Sequence, residues 1–297
     1  MKWIFIPANF LLIIFSLLAV TLLSPILAIS LGLVYSLLYK NNAQEISIKV
    51  STIPLQIGIV LLGFTISTIT LIPIIDANAM WVLLFIVFSF VLSVILGKAF
   101  GLDTKLNILL ASGLSICGAT AIALVGPIIK ASSRFIFISL AILFTFNTLA
   151  IIFFPLFGDF FKMSNYEFGV FSALAIHDTG SVVGAALAFS NPSVEVAASL
   201  KVLRTLALIP LILLLNHKFN TNKKGFIFPS FIIYFFVALT VANIFELPYT
   251  LIEYLKILSK TFIVLGIFCI GLQSSKIEYK ELSFRPLVVA LIVWVCV

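Results

Sequence analysis

Apolar residues in this chain fall in runs near twenty, separated by short polar breaks. A bilayer core about 30 Å thick is crossed by roughly twenty residues of helix, and a helix satisfies its own backbone groups, so each such run reads as a span. Eleven are predicted, over residues 4–23, 24–39, 53–73, 79–98, 105–129, 134–158, 166–189, 195–215, 225–246, 250–272 and 286–297. The fold class is therefore all-α and polytopic, about eleven transmembrane helices in a single integral membrane domain over residues 1–297. The last run holds twelve residues, too few to cross unaided, so either the chain stops inside that helix or the helix ends early.

Composition turns this pattern into an exclusion. Of the residues 62% are hydrophobic and 10% charged, thirty Phe face eleven acidic residues, and the mean hydropathy is +1.28. That leaves too little polar side chain to coat a soluble globule, and the solvent is lipid. The net charge of +7 does not mark a nucleic-acid binder, because Lys and Arg sit in short clusters between the apolar runs. If all eleven runs cross, the side of the N-terminus collects Lys2, Lys40, Lys49, Lys98, Lys105, Lys162, Lys218, Lys223, Lys224, Lys276, Lys280 and Arg285. The other side keeps Lys130, Arg134, Lys256 and Lys260. Twelve against four places the N-terminus in the cytoplasm.

No stretch outside the spans is long enough for a soluble domain, and no glycine-rich phosphate loop is present. Cys117, Cys269 and Cys296 all lie in apolar stretches, which disfavours a disulfide framework or a zinc site; no metal or other cofactor is expected. The first twenty-five residues, interrupted by Pro7 and Asn9 and followed by more membrane, read as the first span rather than a cleaved signal.

Two stretches differ from lipid-facing helix. Residues 111–126, ASGLSICGATAIALVG, contain eleven small residues in sixteen and are followed by Pro127; residues 172–188, SALAIHDTGSVVGAALA, contain ten in seventeen, with Gly180 and Gly184 inside. Small residues let backbones approach closely, and Gly with Pro loosens the hydrogen-bond ladder, so both stretches are expected to break in mid-membrane. Tight helix packing alone is the plainer alternative. Ser112, Leu114 and Ile116 match Ser172, Leu174 and Ile176 at an offset of sixty, but one span between them makes both run the same way. Eleven spans suggest an extra N-terminal helix plus a 5+5 inverted repeat, in which the broken fifth pairs with a tenth loosened by Gly266 and Gly271.

His177 and Asp178 stand in the middle of the seventh run, and Asp178 is the only acidic residue deep in a span. An ionisable group at mid-bilayer costs roughly 2.5 to 3.5 kcal/mol, so it faces a cavity or partner and marks function. The pair cannot share one face of a regular helix unless the chain unwinds, which Thr179-Gly180-Ser181 makes cheap. The bland alternative is structural bonding to neighbouring helices. Lys201 and Arg204, three apart in the eighth run, share a helical face. Lys201 could snorkel to the extracytoplasmic end, whereas the deeper Arg204 has a planar fork matched to a carboxylate, a sulfate or Asp178.

These residues carry a resemblance. SICGATAIALVGPIIKA, AIHDTG followed by SVVGAA, LKVLRTLALIP, and GIVLLGF at 58–64 together resemble the YeiH-like sulfate exporter family of bacterial inner-membrane proteins, over nearly the whole chain and in order. The resemblance implies the fold of bile-acid/sodium symporters and sodium/proton antiporters, two inverted five-helix halves with crossing broken helices. The motif positions are Ile116, Cys117, Gly118, His177, Asp178, Lys201 and Arg204. Many members carry Arg where this chain has Gln56, Glu for Asp178 and Gln for Ser181, which removes one anion contact and shortens one acidic reach.

The resulting expectation is a secondary transporter of a small anion such as sulfate, sulfite or an organosulfonate, driven by H+ or Na+. Half-helix N-termini around Ser115, Cys117, Gly118 and Thr120, and around Thr179 and Ser181, would face the anion, with Lys201 and Arg204 adding charge. His177 and Asp178 would carry the coupling proton. Its partners are then the lipid bilayer, the anion and the coupling ion, with no nucleic acid, and self-association as a homo-oligomer stays open. The alternatives are a cation/proton antiporter of the same fold, against which the fifth span offers no acid, and an intramembrane enzyme pairing Cys117 with His177.

Overall fold

The computed structural model describes residues 8–39, 53–219, 230–245, 247–273 and 284–297. The start of the first predicted span, residues 225–229 of the ninth, and several lysines of the charge count lie outside these residues. Every regular element among the described residues is helical, and the chain divides into two compact units, residues 1–67 with 231–277, and 68–230 with 278–297.

The first unit contains α1 (Ala8–Leu22), α2 (Pro25–Leu38), α3 (Ile53–Gly63), α12 (Ser230–Ile244) and α13 (Tyr249–Gln273). Ser24 caps α2 by accepting from the Leu27 N–H, with Pro25 at the first helical position, where a missing N–H costs nothing. α13 packs along α2 and α3 through glycine notches. A Cβ added at Gly271 would sit 2.9 Å from the Gly32 Cα, and one at Gly266 would meet Leu55. Here the sequence expectation is corrected: the tenth span is an unbroken helix, and Gly266 and Gly271 allow close helix approach instead of loosening it. Ser259 adds a hydroxyl bond of 2.7 Å to the Gly58 carbonyl.

The second unit contains α4 (Thr68–Ala99), α5 (Thr104–Ser112) with a π turn at Gly113–Cys117, α6 (Ala119–Ile128), α7 (Ser133–Phe160), α8 (Asn165–Ala175), α9 (Thr179–Phe189), α10 (Asn191–Leu206), α11 (Leu208–Phe219) and α14 (Phe284–Cys296). Its starts are capped by Asp103, Ser132, Ser190 and a reciprocal Ser164–Glu167 capping box. The predicted loop between the third and fourth spans is displaced: the chain turns at residues 64–67, and α4 runs through Pro73 to Ala99. Pro73, the sixth residue of α4, has no N–H to donate to the carbonyl four residues back, so the ladder is one bond short in its second turn.

α4 is patterned inside out. Trp81, Leu84, Phe88, Val91 and Ile95 face outward, Trp81 being 67% exposed, whereas the buried positions include Asn78, Ser89, Ser93 and Gly97. Such a helix suits lipid outside and a polar interior. Four helical stretches are long and apolar enough to cross a membrane by themselves, at Ile72–Ala99, Arg134–Phe160, Asn191–Phe219 and Tyr249–Leu272. The protein is an all-α, multi-helix membrane protein. The remaining apolar helices are shorter, and three of them, Thr104–Cys117, Ala119–Ile128 and Thr179–Phe189, are halves of the spans predicted to break.

Candidate functional site

Both small-residue spans are broken, and the site is built from the break points within the second unit. In the fifth predicted span the α5 ladder widens into the π turn, where the Gly118 N–H bonds the Gly113 carbonyl at 3.0 Å. Gly118 then takes φ +55° and ψ −120°, a combination that a Cβ makes strained, and α6 starts at the next residue. In the seventh span α8 stops at Ala175, residues 176–178 are extended, and α9 begins at Thr179. The two breaks adjoin. A Cβ on Gly118 would lie 3.4 Å from both the His177 carbonyl and the Asp178 nitrogen.

Each broken helix leaves carbonyls without intrahelical partners at the end of its first half. α10 supplies the donors. Arg204 is 0% exposed, and its Nε donates to the Ser115 carbonyl at 2.7 Å and its Nη2 to Leu114 at 2.6 Å. Its Nη1 donates to Ala173, Leu174 and Ile176 at 3.0, 2.6 and 3.2 Å. Lys201, also 0% exposed, donates to Ile116 at 3.2 Å and Ile176 at 2.7 Å. The remaining carbonyl, Ala175, accepts from the Trp294 indole N–H at 2.8 Å. Two negative helix ends thus converge on one guanidinium and one ammonium, a charge arrangement favoured by the helix dipoles. Phe85 closes the fork from one face, 4.5 Å from the Arg204 carbon.

The donors that the sequence assigns to an anion are therefore engaged by backbone. Lys201 does not snorkel, and Arg204 does not reach Asp178. The Asp178 carboxylate, partly buried, caps α9: it accepts from the Gly180 and Ser181 N–H groups at 3.0 and 3.2 Å and from the Ser181 hydroxyl at 3.4 Å. Thr179 opens that helix. The Ser115 hydroxyl is bonded back to Ala111 in its own helix, so this residue contributes its carbonyl rather than its side chain. Cys117 is buried with its sulfur toward the Ala121 N–H in the first turn of α6, and Thr120, half-buried, stands in that turn. The N-terminus of α6 has no side-chain cap because its cap residue is Gly118.

His177 makes no hydrogen bond to Cys117. The histidine is 3% exposed, and its ring lies against the stacked Phe146–Trp294 pair, at centroid distances of 6.5 and 6.2 Å. Neither ring nitrogen has a hydrogen-bond partner among the described residues; the Leu114 carbonyl faces the ring without bonding geometry. Its backbone N–H is held by the Asn147 amide oxygen at 3.2 Å. Asn147, Phe146 and Trp294 were not among the residues that the sequence singles out. Only Asn147 carried a signal, an amide in the middle of an apolar run.

Comparison with known proteins fixes the family. The family model described as conserved hypothetical protein 698 matches residues 6–290. The chain belongs to this family. Among its relatives, a UPF0324 membrane protein of Shewanella oneidensis is 34% identical over 82% of this chain and 77% of its own length. One of Fusobacterium nucleatum is 33% identical over 91% and 86%, and one of Bacteroides thetaiotaomicron 30% identical over 92% and 84%. These family members are bacterial and named as membrane proteins, in agreement with the multi-pass architecture. No solved structure matches the chain.

Proposed function

We propose that this protein is a secondary transporter of a small anion, of the sulfate, sulfite or organosulfonate class, coupled to H+ or Na+. The observation that carries the reading is the pair of adjoining mid-span breaks, Gly118 against His177–Asp178, in one buried cluster with two cations. Broken helices paired at mid-membrane are how carriers expose backbone groups to a substrate without exposing them to lipid. The uncapped start of α6, with Thr120 and the Cys117 sulfur beside it, is the end open to an anion, since α9 already has Asp178 as its cap.

On this reading Arg204 and Lys201 hold the breaks together and bias their field toward anions, rather than ligating the substrate directly. Asp178 and His177 carry the coupling. The resemblance to sulfate exporters supports the substrate class, and the excess of Lys and Arg supports an N-terminus in the cytoplasm and a plasma-membrane location. A cation/proton antiporter is less well supported, because the break at Gly118 carries no acid.

Proteoliposome uptake of labelled sulfite and sulfate, with and without an imposed pH gradient, tests the proposal. Accumulation that follows the gradient is expected, and a membrane-permeant thiol reagent should label Cys117 more slowly when the anion is present. Uptake of neither anion under any gradient would remove the substrate class.

A further inference from the structure

Four side-chain atoms are buried without a hydrogen-bond partner among the described residues, and all four belong to one row. They are both ring nitrogens of His177, the Ser93 hydroxyl and the Asn107 amide oxygen. Ser89 lines the cavity beside His177, Ser93 stands one turn further along α4, and Gly97 one turn beyond that. Asn107, on α5, fills the notch at Gly97, where any added Cβ would overlap its amide, and its Nδ2 donates to the Val94 carbonyl at 2.9 Å. Residues four apart share a helical face and are separated by about 6 Å, the distance covered by two hydrogen bonds through one water. The cavity against His177 holds about 10 Å³, at the threshold for one water molecule. The row ends where α4 gives way to α5, one turn from the exposed Asp103 and near Lys98 and Lys105.

We propose that this row is a hydrated proton path joining the α4–α5 loop to His177. It deepens the carrier reading above by giving the coupling proton a route. A proton enters from water at the loop, and each water or hydroxyl on the row accepts one proton on a lone pair and releases another. A transit conserves the atoms of the row and reverses the sense of its hydrogen bonds, which the waters and hydroxyls restore by rotating, and the charge ends on an imidazole nitrogen. Waters also satisfy the orphan atoms, which otherwise each cost stability in an apolar surround. Around the imidazole, α10 presents Arg204 and Lys201, and the first break presents the Leu114 carbonyl. α4 offers Phe85 and Ser89, α7 offers Phe146 and Asn147, and α14 offers Val293 and Trp294.

The test is hydrogen–deuterium exchange at the imidazole C2 position, read by mass spectrometry on the full chain in lipid nanodiscs. The chain has two histidines, and the exposed His217 near the end of α11 is the internal reference. A hydrated row gives His177 a half-time within about thirtyfold of His217, and a slower wild-type rate overturns the proposal without any variant having to fold. Ser93→Val and Asn107→Leu close the row at different turns. Each is expected to slow His177 by about tenfold or more while leaving His217 unchanged, and a smaller effect in both natively eluting variants also overturns it. Exchange needs no substrate. Rapid exchange in a protein that moves no anion would remove the carrier and keep the path, whereas a dry His177 in a protein that does accumulate anion would remove the path alone.

Discussion

The Arg204 side chain and the Ser115 carbonyl, 89 positions apart in the sequence, meet at 2.7 Å where the fifth and seventh predicted spans break. The contact is one of five that the guanidinium makes to carbonyls of two different helix ends. A break in a membrane helix is tolerated only if the freed backbone groups find partners inside the protein. α10 provides them for both breaks with two side chains on one face. The breaks and their cations are therefore one structural unit, and neither half can be changed without exposing the other.

Arg204→Gln should lower stability by about 3–5 kcal/mol, because it leaves carbonyls of two helix ends buried and unpaired. Arg204→Lys should recover little of this, since a point charge cannot span acceptors on both helices as a planar fork does. Thermal unfolding in detergent, followed by size-exclusion elution, checks both. A natively stable Arg204→Gln protein with altered anion affinity would instead return Arg204 to the role of a substrate ligand.

Gly118→Ala is expected to cost about 1–3 kcal/mol through backbone strain alone, because its φ of +55° with ψ of −120° is open to glycine and the contacts a Cβ would make, at 3.4 Å, are ordinary. Gly113→Ala should also destabilise, but by overlap with Leu143 and Ile122, so trimming Leu143 to Val should relieve it. The same trim should do nothing for Gly118→Ala. The melting temperatures of the two single and two double variants decide this.

The breaks were legible in the sequence because clusters of Gly, Ala, Ser and Thr are rare in lipid-facing helix, and Gly180 and the Gly118-Ala-Thr step stand inside such clusters. Composition says that a helix can part there. It does not say which charges close the gap, so Lys201 and Arg204 read as ligands when their donors in fact meet Ile116, Ser115 and the end of α8. Gly266 and Gly271 show the converse: two glycines in an apolar run serve close packing against Leu55 and Gly32, and the helix stays whole. Glycine permits either outcome, and the neighbours decide. The row along α4 was spelled out as Ser89, Ser93 and Gly97, but a four-residue spacing of small residues has no meaning until Asn107 and His177 are seen at its ends.

Asp178→Asn separates capping from charge. Asn caps a helix about as well as Asp, so the variant should stay within about 0.5 kcal/mol of the parent, whereas Asp178→Ala should lose roughly 1 kcal/mol with the cap. If Asp178 carries the coupling, the Asn variant folds, binds anion and fails to accumulate it against a gradient. An Asn variant that still accumulates anion in proteoliposomes would leave His177 as the sole coupling group.

Asn147→Leu probes the support under His177. The amide oxygen holds the His177 N–H at 3.2 Å in a position where no water replaces it cheaply, so its loss should cost about 1–3 kcal/mol and let residues 176–178 shift. Asn147→Asp keeps an acceptor at the same reach and should restore the bond, though it adds a buried charge on α7. Trp294 gives an independent reading of that shift. Its indole N–H bonds the Ala175 carbonyl and its ring stacks on Phe146 at 4.7 Å, so movement at the break should alter its emission. With Trp3 and Trp81 replaced by Phe, the single remaining tryptophan should shift in Asn147→Leu and stay close to the parent spectrum in Leu149→Val, a change on the outer face of the same helix. Equal spectra in both would mean that the Asn147 bond does not hold the break.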